Sequence, residues 1–527
     1  MADGQERKPL LSSSDGEGAK EYDDYRIGKA KTKHGFNSHL ALAIAAITLG
    51  SSFQFGYNTG VVNSPEEIIQ EFYNETYFDR NGEYMQPSLK TLLWSITVAI
   101  YAVGGMIGGV SAGYWANRYG RKGALLRNNV IAVIAGGLLG FSKMAKSYEM
   151  LIVGRFISGL NAGVNTGIVP MYLSEIAPIS LRGLAGTFNQ LAITTGVFVS
   201  QLLGLEFILG SQTLWPICLA LTCGPVVFQL LTLTCCPESP RFLMLSREDT
   251  EGAKEALMWL RKSYDVEDEI EEMNLEKADE KKQSDFKISH LFLHNELRIP
   301  LTISVVLQLT QQFSGINAVI YYSTSIYESA QLSEQNSQFA TLGSAIVNVL
   351  MTFVSALIID RAGRRILLLL GLGGMFVFTV ILTVALVFEH QVSWLSYLCI
   401  VAVICYIIFF AVGPGSIPWL IVAELFAQGP RSAAVSTAVL VNWSANCVVG
   451  LVFPTLQKSI GVYSFVPFAV MLLLSFLFTM LKVPETKGKT IEEITHLFKD
   501  NIDKLHIKDV EVLSPDLDTS GSIQKEF

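Results

Sequence analysis

The chain has 527 residues, of which 50% are apolar and 16% charged, where an average soluble domain carries roughly 25% charged residues. With a mean hydropathy of +0.38, it has too little charge to coat a water-exposed surface, which excludes a secreted domain or disordered scaffold and points to a polytopic membrane protein. A net charge of -8 excludes a nucleic-acid partner, because phosphate binding needs a basic face.

Residues 1–38 are polar and rich in Gly, Ser, Lys and Asp. They read as a disordered cytoplasmic tail and not as a signal peptide, since no short apolar core precedes a cleavage site. Within the tail, Glu6 followed by Leu10 and Leu11 matches an acidic dileucine signal for a sorting adaptor. An ordinary disordered tail explains so short a pattern equally well. Apolar stretches long enough to span a bilayer then recur over 39–62, 91–115, 124–142, 149–172, 184–207, 214–234, 298–325, 337–359, 365–388, 395–423, 433–456 and 462–482. The expectation is an all-α membrane protein with about twelve transmembrane helices. A six-helix half covers 39–234 and a second covers 298–482. A charged, partly amphipathic cytoplasmic helical linker separates them over 235–297, and a cytoplasmic tail follows over 483–527.

Lys and Arg set the orientation. Arg118, Arg121 and Lys122, then Arg182, then Arg361, Arg364 and Arg365, then Arg431 all follow even-numbered spans. Those loops and both termini are therefore expected in the cytoplasm. Loop 63–90 is then external and carries Asn74-Glu75-Thr76, a glycosylation sequon on the reachable side. The second sequon, at Asn442, lies inside a span where no glycosyltransferase reaches. The 7 Cys and 7 His show no ligand spacing within a span, so no metal site, disulfide framework or cofactor is expected.

The sequence repeats itself at long range. Asn117 to Lys122 is echoed by Asp360 to Arg365, Glu175 with Arg182 by Glu424 with Arg431, and Pro237-Glu238-Ser239 by Pro484-Glu485-Thr486. Three echoes at one offset of roughly 245 residues imply two parallel, pseudo-symmetric halves with a binding site between them near mid-membrane. The echoed charges are Arg118, Arg121, Glu175, Arg182 and Glu238 in one half, and Arg361, Arg364, Glu424, Arg431 and Glu485 in the other. Their matched spacing predicts a cytoplasmic latch that parts as the halves rock. The rival explanation is that the basic residues only fix topology.

Further motifs point to a family. Gly56-Tyr57-Asn58-Thr59-Gly60, Gly154-Arg155-Phe156, Pro170-Met171-Tyr172, Gln311-Gln312-Phe313 with Asn317, Gly413 to Trp419, and Asn442-Trp443 join the echoes above. Together they resemble the facilitative glucose transporters of animals, the sugar-porter branch of the major facilitator superfamily. The resemblance covers roughly 39–495. It implies the major facilitator fold, alternating access between the halves, a small-molecule hexose as substrate, a plasma-membrane location in the lipid bilayer and a chain that functions as a monomer.

A sugar needs directional hydrogen bonds to its hydroxyls and a flat apolar surface for its ring. Gln308, Gln311 and Gln312 share one helical face at i, i+3 and i+4. Ser314-Gly315 is expected to break that helix and free Asn317 to reach inward. Substrate contact is favoured over interhelical bonding for Gln311, Gln312 and Asn317. The resemblance puts Gln190 in the sugar pocket, tips Asn348 toward sugar contact, and makes Asn446 closer to sugar than Asn442. Gly413, Pro414 and Gly415 predict a bendable break in the tenth span, beside which Phe410 and Trp419 stack on the ring or gate it. The resemblance makes Tyr321 and Tyr322 an external gate, with an interfacial aromatic belt as the rival.

A proton symporter needs a titrating carboxylate within the membrane. Proton-coupled relatives carry Asp in the first-span Gly-Tyr-Asp pattern, where this chain has Asn58, although the usual partner Arg155 remains. No Asp lies within the assigned spans, so the expectation is uncoupled, downhill transport. No phosphate-binding loop and no nucleophile–base pair occur, so neither an ATPase nor another enzyme is expected. Ala411 stands where many glucose transporters have Glu, and Ser416 where Pro is usual, which bears on gating. Gln190, Trp419 and Gln308-Leu309-Thr310 lean toward glucose over fructose. Two alternatives remain: a proton-coupled sugar symporter, disfavoured by Asn58, and a non-transporting sugar sensor, disfavoured by the short final tail.

Overall fold

Long apolar runs leave the backbone few ways to satisfy its hydrogen bonds in lipid, and the helix is the simplest. The structure, a computed structural model, describes residues 35–274, 291–292, 295–389, 391–392, 394–426, 428–487, 489 and 493. The dileucine-like Leu10 and Leu11 lie outside these residues. Among the described residues there is no strand.

In chain order, α1 spans Ser38–Gly60, α2 Glu66–Asn81, α3 Pro87–Tyr119 and α4 Arg121–Phe141. Next come α5 Tyr148–Ile176, α6 Arg182–Leu203, α7 Trp215–Cys235 and the short α8 Thr250–Arg261. The second half holds α9 Asn295–Phe313, α10 Ile316–Ser329, α11 Glu334–Ala362 and α12 Arg364–Phe388. It closes with α13 Leu395–Val412, α14 Ile417–Leu425, α15 Gln428–Ile460 and α16 Val466–Lys482.

Among the described residues, 9 stretches are long and apolar enough to cross a bilayer. The longest, Ala433–Lys482, turns at Gly461 (φ 54°) and holds both α15 and α16. α5 and α6 add two more crossings, their hydropathy lowered by buried polar residues such as Arg155, Asn161, Asn165 and Gln201. The total is twelve crossings in two six-helix halves, as expected. Large apolar side chains such as Ile107, Val110, Leu350, Phe353, Leu357 and Leu474 stay exposed around the bundle. This is the surface of an integral membrane protein, whose solvent is lipid.

Both expected breaks occur. α9 gives way to α10 at Ser314-Gly315, with Gly315 at φ 95°, and α13 gives way to α14 across Gly413 to Ser416. Small residues set the helix spacing. A Cβ at Gly159 of α5 would lie 1.9 Å from the Tyr101 carbonyl oxygen of α3, and one at Gly163 would lie 2.2 Å from that of Gly105. The halves meet where α3 packs on α15 and α6 on α11.

The stretch expected as loop 63–90 contains a helix. Glu66 and Glu67 occupy the first turn of α2, Arg80 the last, and Gly82 (φ 76°) ends it, an arrangement that suits the helix dipole and its C-terminal cap. Ile69, Phe72 and Tyr73 are buried beneath it. At the opposite end, α8 docks on the start of α1. Asn37 Nδ2 donates to Leu260 O (2.9 Å), and the His39 ring stacks on Trp259 with centroids 4.5 Å apart. Arg261 Nη1 donates to Ile176 O (2.7 Å), tying α8 to α5.

Candidate functional site

The amides of α9, α10 and α15 converge where the halves meet. Asn442 Nδ2 donates to Gln308 Oε1 and Gln311 Oε1, both at 2.7 Å. Gln312 Nε2 donates to Asn442 Oδ1 (2.9 Å), and Asn317 Nδ2 donates to Gln312 Oε1. Gln311 Nε2 donates to Pro414 O and Gly415 O, both at 2.8 Å, in the α13–α14 break. The break thus frees two carbonyls that a continuous helix would have engaged. One turn beyond Asn442, Asn446 Oδ1 accepts from Tyr321 Oη (3.0 Å). The amides bond one another in this state, except that Gln308 Nε2 is buried without a partner among the described residues, and a polyhydroxylated ligand would have to exchange these bonds for its own.

Aromatic walls flank the network. Trp443 packs across the seam between the halves against Phe55 of α1 and Tyr101 of α3, with centroids 5.6 and 5.7 Å away. Trp419 of α14 packs against the same cluster, and Phe410 of α13 is buried in the main core. Gln190 of α6 is half-buried. Asn348 of α11 stands apart from the network and lines a small cavity.

Arg155 of α5 is fully buried. Its Nη1 donates to Asn58 O (2.7 Å), and its guanidinium lies 4.5 Å from the Tyr101 ring centroid. Asn58 Nδ2 donates to Thr222 Oγ1 (2.8 Å) and Gln54 O (3.1 Å). Arg155 Nη2 and Asn58 Oδ1 have no partner among the described residues. The bond uses the main-chain carbonyl of Asn58, which any residue there would offer, and the Asn58 side chain adds no charge beside the guanidinium.

Sequence reasoning missed Asn63. At the end of the bundle carrying α2, its Nδ2 donates to Ile320 O (2.5 Å) and Ser323 Oγ (2.7 Å). Its Oδ1 accepts from Thr324 Oγ1 (3.0 Å) and Thr324 N (3.3 Å). One buried side chain in the first half thereby holds α10 of the second. Lys458 Nζ adds another cross-half bond, to Thr91 Oγ1. The Tyr321–Tyr322 pair lies on the same helix as Asn63's partners. Tyr322 leaves the helical region (φ -131°, ψ 18°) and donates to Gly450 O (3.0 Å). Nearby, burial and then the carboxylates of Glu328 and Glu67 push Glu66 up to about 8.

At the α8 end, the echoed charges form two matching clusters. In the first, Glu238 Oε1 accepts from Arg121 N (2.8 Å) and Lys122 N (2.9 Å). Arg121 Nη2 pairs with Glu175 Oε1 (2.7 Å), and Ser239 Oγ donates to Glu175 Oε2. In the second, Glu485 accepts from Arg364 N (2.9 Å) and Arg365 N (3.0 Å). Arg364 Nη2 pairs with Glu424 Oε1 (3.1 Å), and Thr486 Oγ1 donates to Glu424 Oε2. Each Glu caps the N-terminus of the following helix, α4 or α12, where the dipole favours an anion. Burial works to raise Glu485, yet N–H donors of Lys487, Arg364, Arg365 and Thr486 hold it below the ordinary carboxylate range. Gly120 (φ 79°) and Gly363 (φ 93°) leave room for the caps: a Cβ there would lie 2.3 Å from Glu238 Oε2 and 2.8 Å from Glu485 Oε2. These bonds run within each half. Arg118 O accepts from Arg247 Nη2 (3.4 Å), Lys487 Nζ donates to Arg361 O (2.6 Å), and Arg431 Nε to Phe426 O (3.2 Å). Arg182 opens α6.

Asn74 sits within α2, where its Oδ1 accepts from Met85 N (3.1 Å). Its Nδ2 lies 3.5 Å from Glu71 Oε1. No group of three or more His, Cys, Asp or Glu able to hold a metal occurs among the described residues.

The model of the family described as "Sugar (and other) transporter" matches residues 43–498. The chain is 47% identical to facilitated glucose transporter member 1 of Gallus gallus over 462 residues, 88% of this chain and 94% of that one. It is 48% identical to member 3 of Rattus norvegicus over 460 residues, 87% and 93% respectively. Among solved structures it is similar to a partially occluded inward-open conformation of the xylose transporter XylE from E. coli. There the TM-score is 0.72 and the identity 28%, covering 86% of this chain and all of that one. The same protein, described as a proton:xylose symporter and bound to 6-bromo-6-deoxy-D-glucose, matches at TM-score 0.72 and 27% identity, over 88% and 99%.

Proposed function

The chain belongs to the sugar-transporter family matched above, with the major facilitator fold, and from that premise we propose that it is a facilitative hexose transporter and no enzyme. It moves sugar down its gradient by alternating access between the two halves. The observation that carries this reading is the cluster of uncharged amides from α9, α10 and α15. Such groups are costly in a bilayer unless bonded, and here they gather at the seam that alternating access opens. Gln190, Gln311, Gln312, Asn317, Asn348, Asn442 and Asn446 supply the hydroxyl contacts, and Phe410 and Trp419 the ring surface. Glucose is the substrate its relatives are named for.

Transport is uncoupled. Arg155 keeps its place, but Asn58 gives it no titrating partner, so no proton enters the cycle. The positive-inside pattern puts the α8 end in the cytoplasm with both termini, in the plasma membrane, and the α2 end outside. Asn63, Tyr321 and Tyr322 then belong to the outer gate, shut in this structure, while the α13–α14 break bends during exchange. The twin Glu–Arg clusters keep each half rigid as it rocks. Asn74 is the glycan acceptor, modified before α2 packs, and the monomer is the working unit.

Uptake of labelled glucose into proteoliposomes holding only this protein tests the reading. Saturable equilibration that ignores an imposed pH gradient is expected. Proton-driven accumulation would overturn uncoupled transport, and sugar binding without uptake would overturn transport itself.

A further inference from the structure

Two aromatic side chains at the end of α2 stand out into water. Phe78 is 40% exposed and Tyr84 is 65% exposed, where aromatic rings of this size are mostly buried. The two rings stack with centroids 4.6 Å and planes 25° apart, so the exposure is what remains after each has covered one face of the other. Their support is fixed. Asp79 pairs with Lys146 at 2.7 Å and Arg80 with Glu149 at 2.5 Å, which ties the last turn of α2 to the opening of α5. Gly82 (φ 76°) turns the chain back, and Asn74 Oδ1 accepts from Met85 N (3.1 Å) to close the return. That bond puts Tyr84 beside Asn74, while Phe78 follows Asn74 by one helical turn on the same face. The sequon asparagine and both rings thus share one patch. Exposed carboxylates at Glu71, Glu75 and Glu83 rim it. Such a rim suits a neutral polyhydroxylated ligand better than an apolar protein face or an acyl chain.

We propose that the Phe78–Tyr84 pair is the platform on which the first sugar of the Asn74 glycan rests. The proposal rests on the reading of Asn74 as the glycan acceptor. A β-linked N-acetylhexosamine carries its substituents equatorially, so its ring presents flat faces of C–H groups. The electron-rich face of an aromatic ring attracts those C–H groups and shields them from water. A sugar linked to Asn74 needs little affinity of its own, because the covalent tether keeps it within reach of the rings. Glu71 Oε1, 3.5 Å from Asn74 Nδ2, belongs to an exposed side chain that has room to turn aside. Resting on both rings, the sugar clamps the turn after α2 onto the helix.

The test uses the full-length protein from cells that attach only high-mannose glycans, compared in three forms. One is intact, one is trimmed by an endoglycosidase that leaves the first sugar, and one is stripped by a glycan amidase. The readout is hydrogen exchange at the amides of residues 74–85, which reports local opening of this segment. Trimming should leave exchange in the parent unchanged, and stripping should speed it about five-fold, the size of one aromatic contact. In Tyr84→Ala all three forms should exchange alike, and Tyr84→Phe should restore the parent pattern. Phe78→Ala should also lose the effect of stripping, so the platform is tested even if Tyr84→Ala disturbs the turn. Exchange in the parent that ignores stripping would overturn the proposal. So would an equal acceleration by stripping in the parent, Tyr84→Ala and Phe78→Ala, or a loss of protection already complete on trimming. A parent whose gel mobility the amidase does not change carries no glycan, and that result removes Asn74 as the acceptor and the platform with it.

Discussion

Asn63 makes the sharpest prediction. Its side chain is 1% exposed and takes part in four hydrogen bonds to α10, from 2.5 to 3.3 Å. When the α2 end opens, water replaces those partners, so each bond counts only at its net value of about 0.5–1 kcal/mol. Asn63→Ala should therefore destabilise the shut α2 end by about 2–4 kcal/mol relative to the open one. At roughly 1.4 kcal/mol per factor of ten, the shut-to-open ratio falls by about 30-fold or more. The assay is zero-trans glucose entry and exit. Shifting the carrier toward the state open at the α2 end lowers KM at that face and raises it at the other, so the ratio of the two should change by about ten-fold or more. Asn63→Asp keeps the acceptor for Thr324 but loses both donated bonds, and should fall between. An Asn63→Ala protein with unchanged melting temperature and a KM ratio within about two-fold of the parent's would refute the reasoning, since bonds of this number cannot all have zero net value.

Three further outcomes follow from the same geometry. Asn58→Asp places a titrating group beside the guanidinium whose Nη2 has no described partner; glucose uptake should become sensitive to an imposed pH gradient, and uptake that still ignores it would remove Asn58 as the uncoupling residue. Glu66 is raised to about 8 in the shut state, so closing the α2 end takes up a proton. Closure is favoured most below the ordinary value of 4.5, and this contribution is lost as pH rises through about 8. Because Glu66 is partly exposed, the shift is discounted to on the order of five- to ten-fold in the gate equilibrium; it should appear as a pH-dependent KM ratio and shrink in Glu66→Gln, leaving the share of Glu328, which burial pushes up to about 7. Glu238→Gln removes the charge from the cap on α4 and should cost about 1–2 kcal/mol, read as a lower melting temperature with the KM ratio preserved; a changed ratio at unchanged melting would instead give Glu238 a direct part in gating.

Much of the architecture was legible in the residues alone. The number of crossings follows from run length, because lipid rewards only apolar helices of sufficient length. The duplication followed from the echoes at Arg121 and Arg364, and the structure turns these echoes into two equivalent capped corners. The breaks at Gly315 and Gly413 to Ser416 were visible because Gly and Pro act locally on the backbone. The glutamines of α9 stood out because amides are rare and costly in an apolar run.

Other features needed the fold. Polar residues hid α2 from an apolar search, although its charges and Gly82 marked its ends. Asn63 is an ordinary amide at a span edge, and nothing local distinguishes it. Asn63 matters because α10, some 260 residues away in the chain, brings three partners to it. Charge spacing marked Glu175 with Arg182 as an echo of Glu424 with Arg431, but that Glu175 pairs with Arg121 of α4 follows only from how the helices pack. Periodicity and composition act over a few turns and decide what each segment is. Which side chains meet depends on the rotation and depth of helices packed against one another, and only tertiary structure decides that.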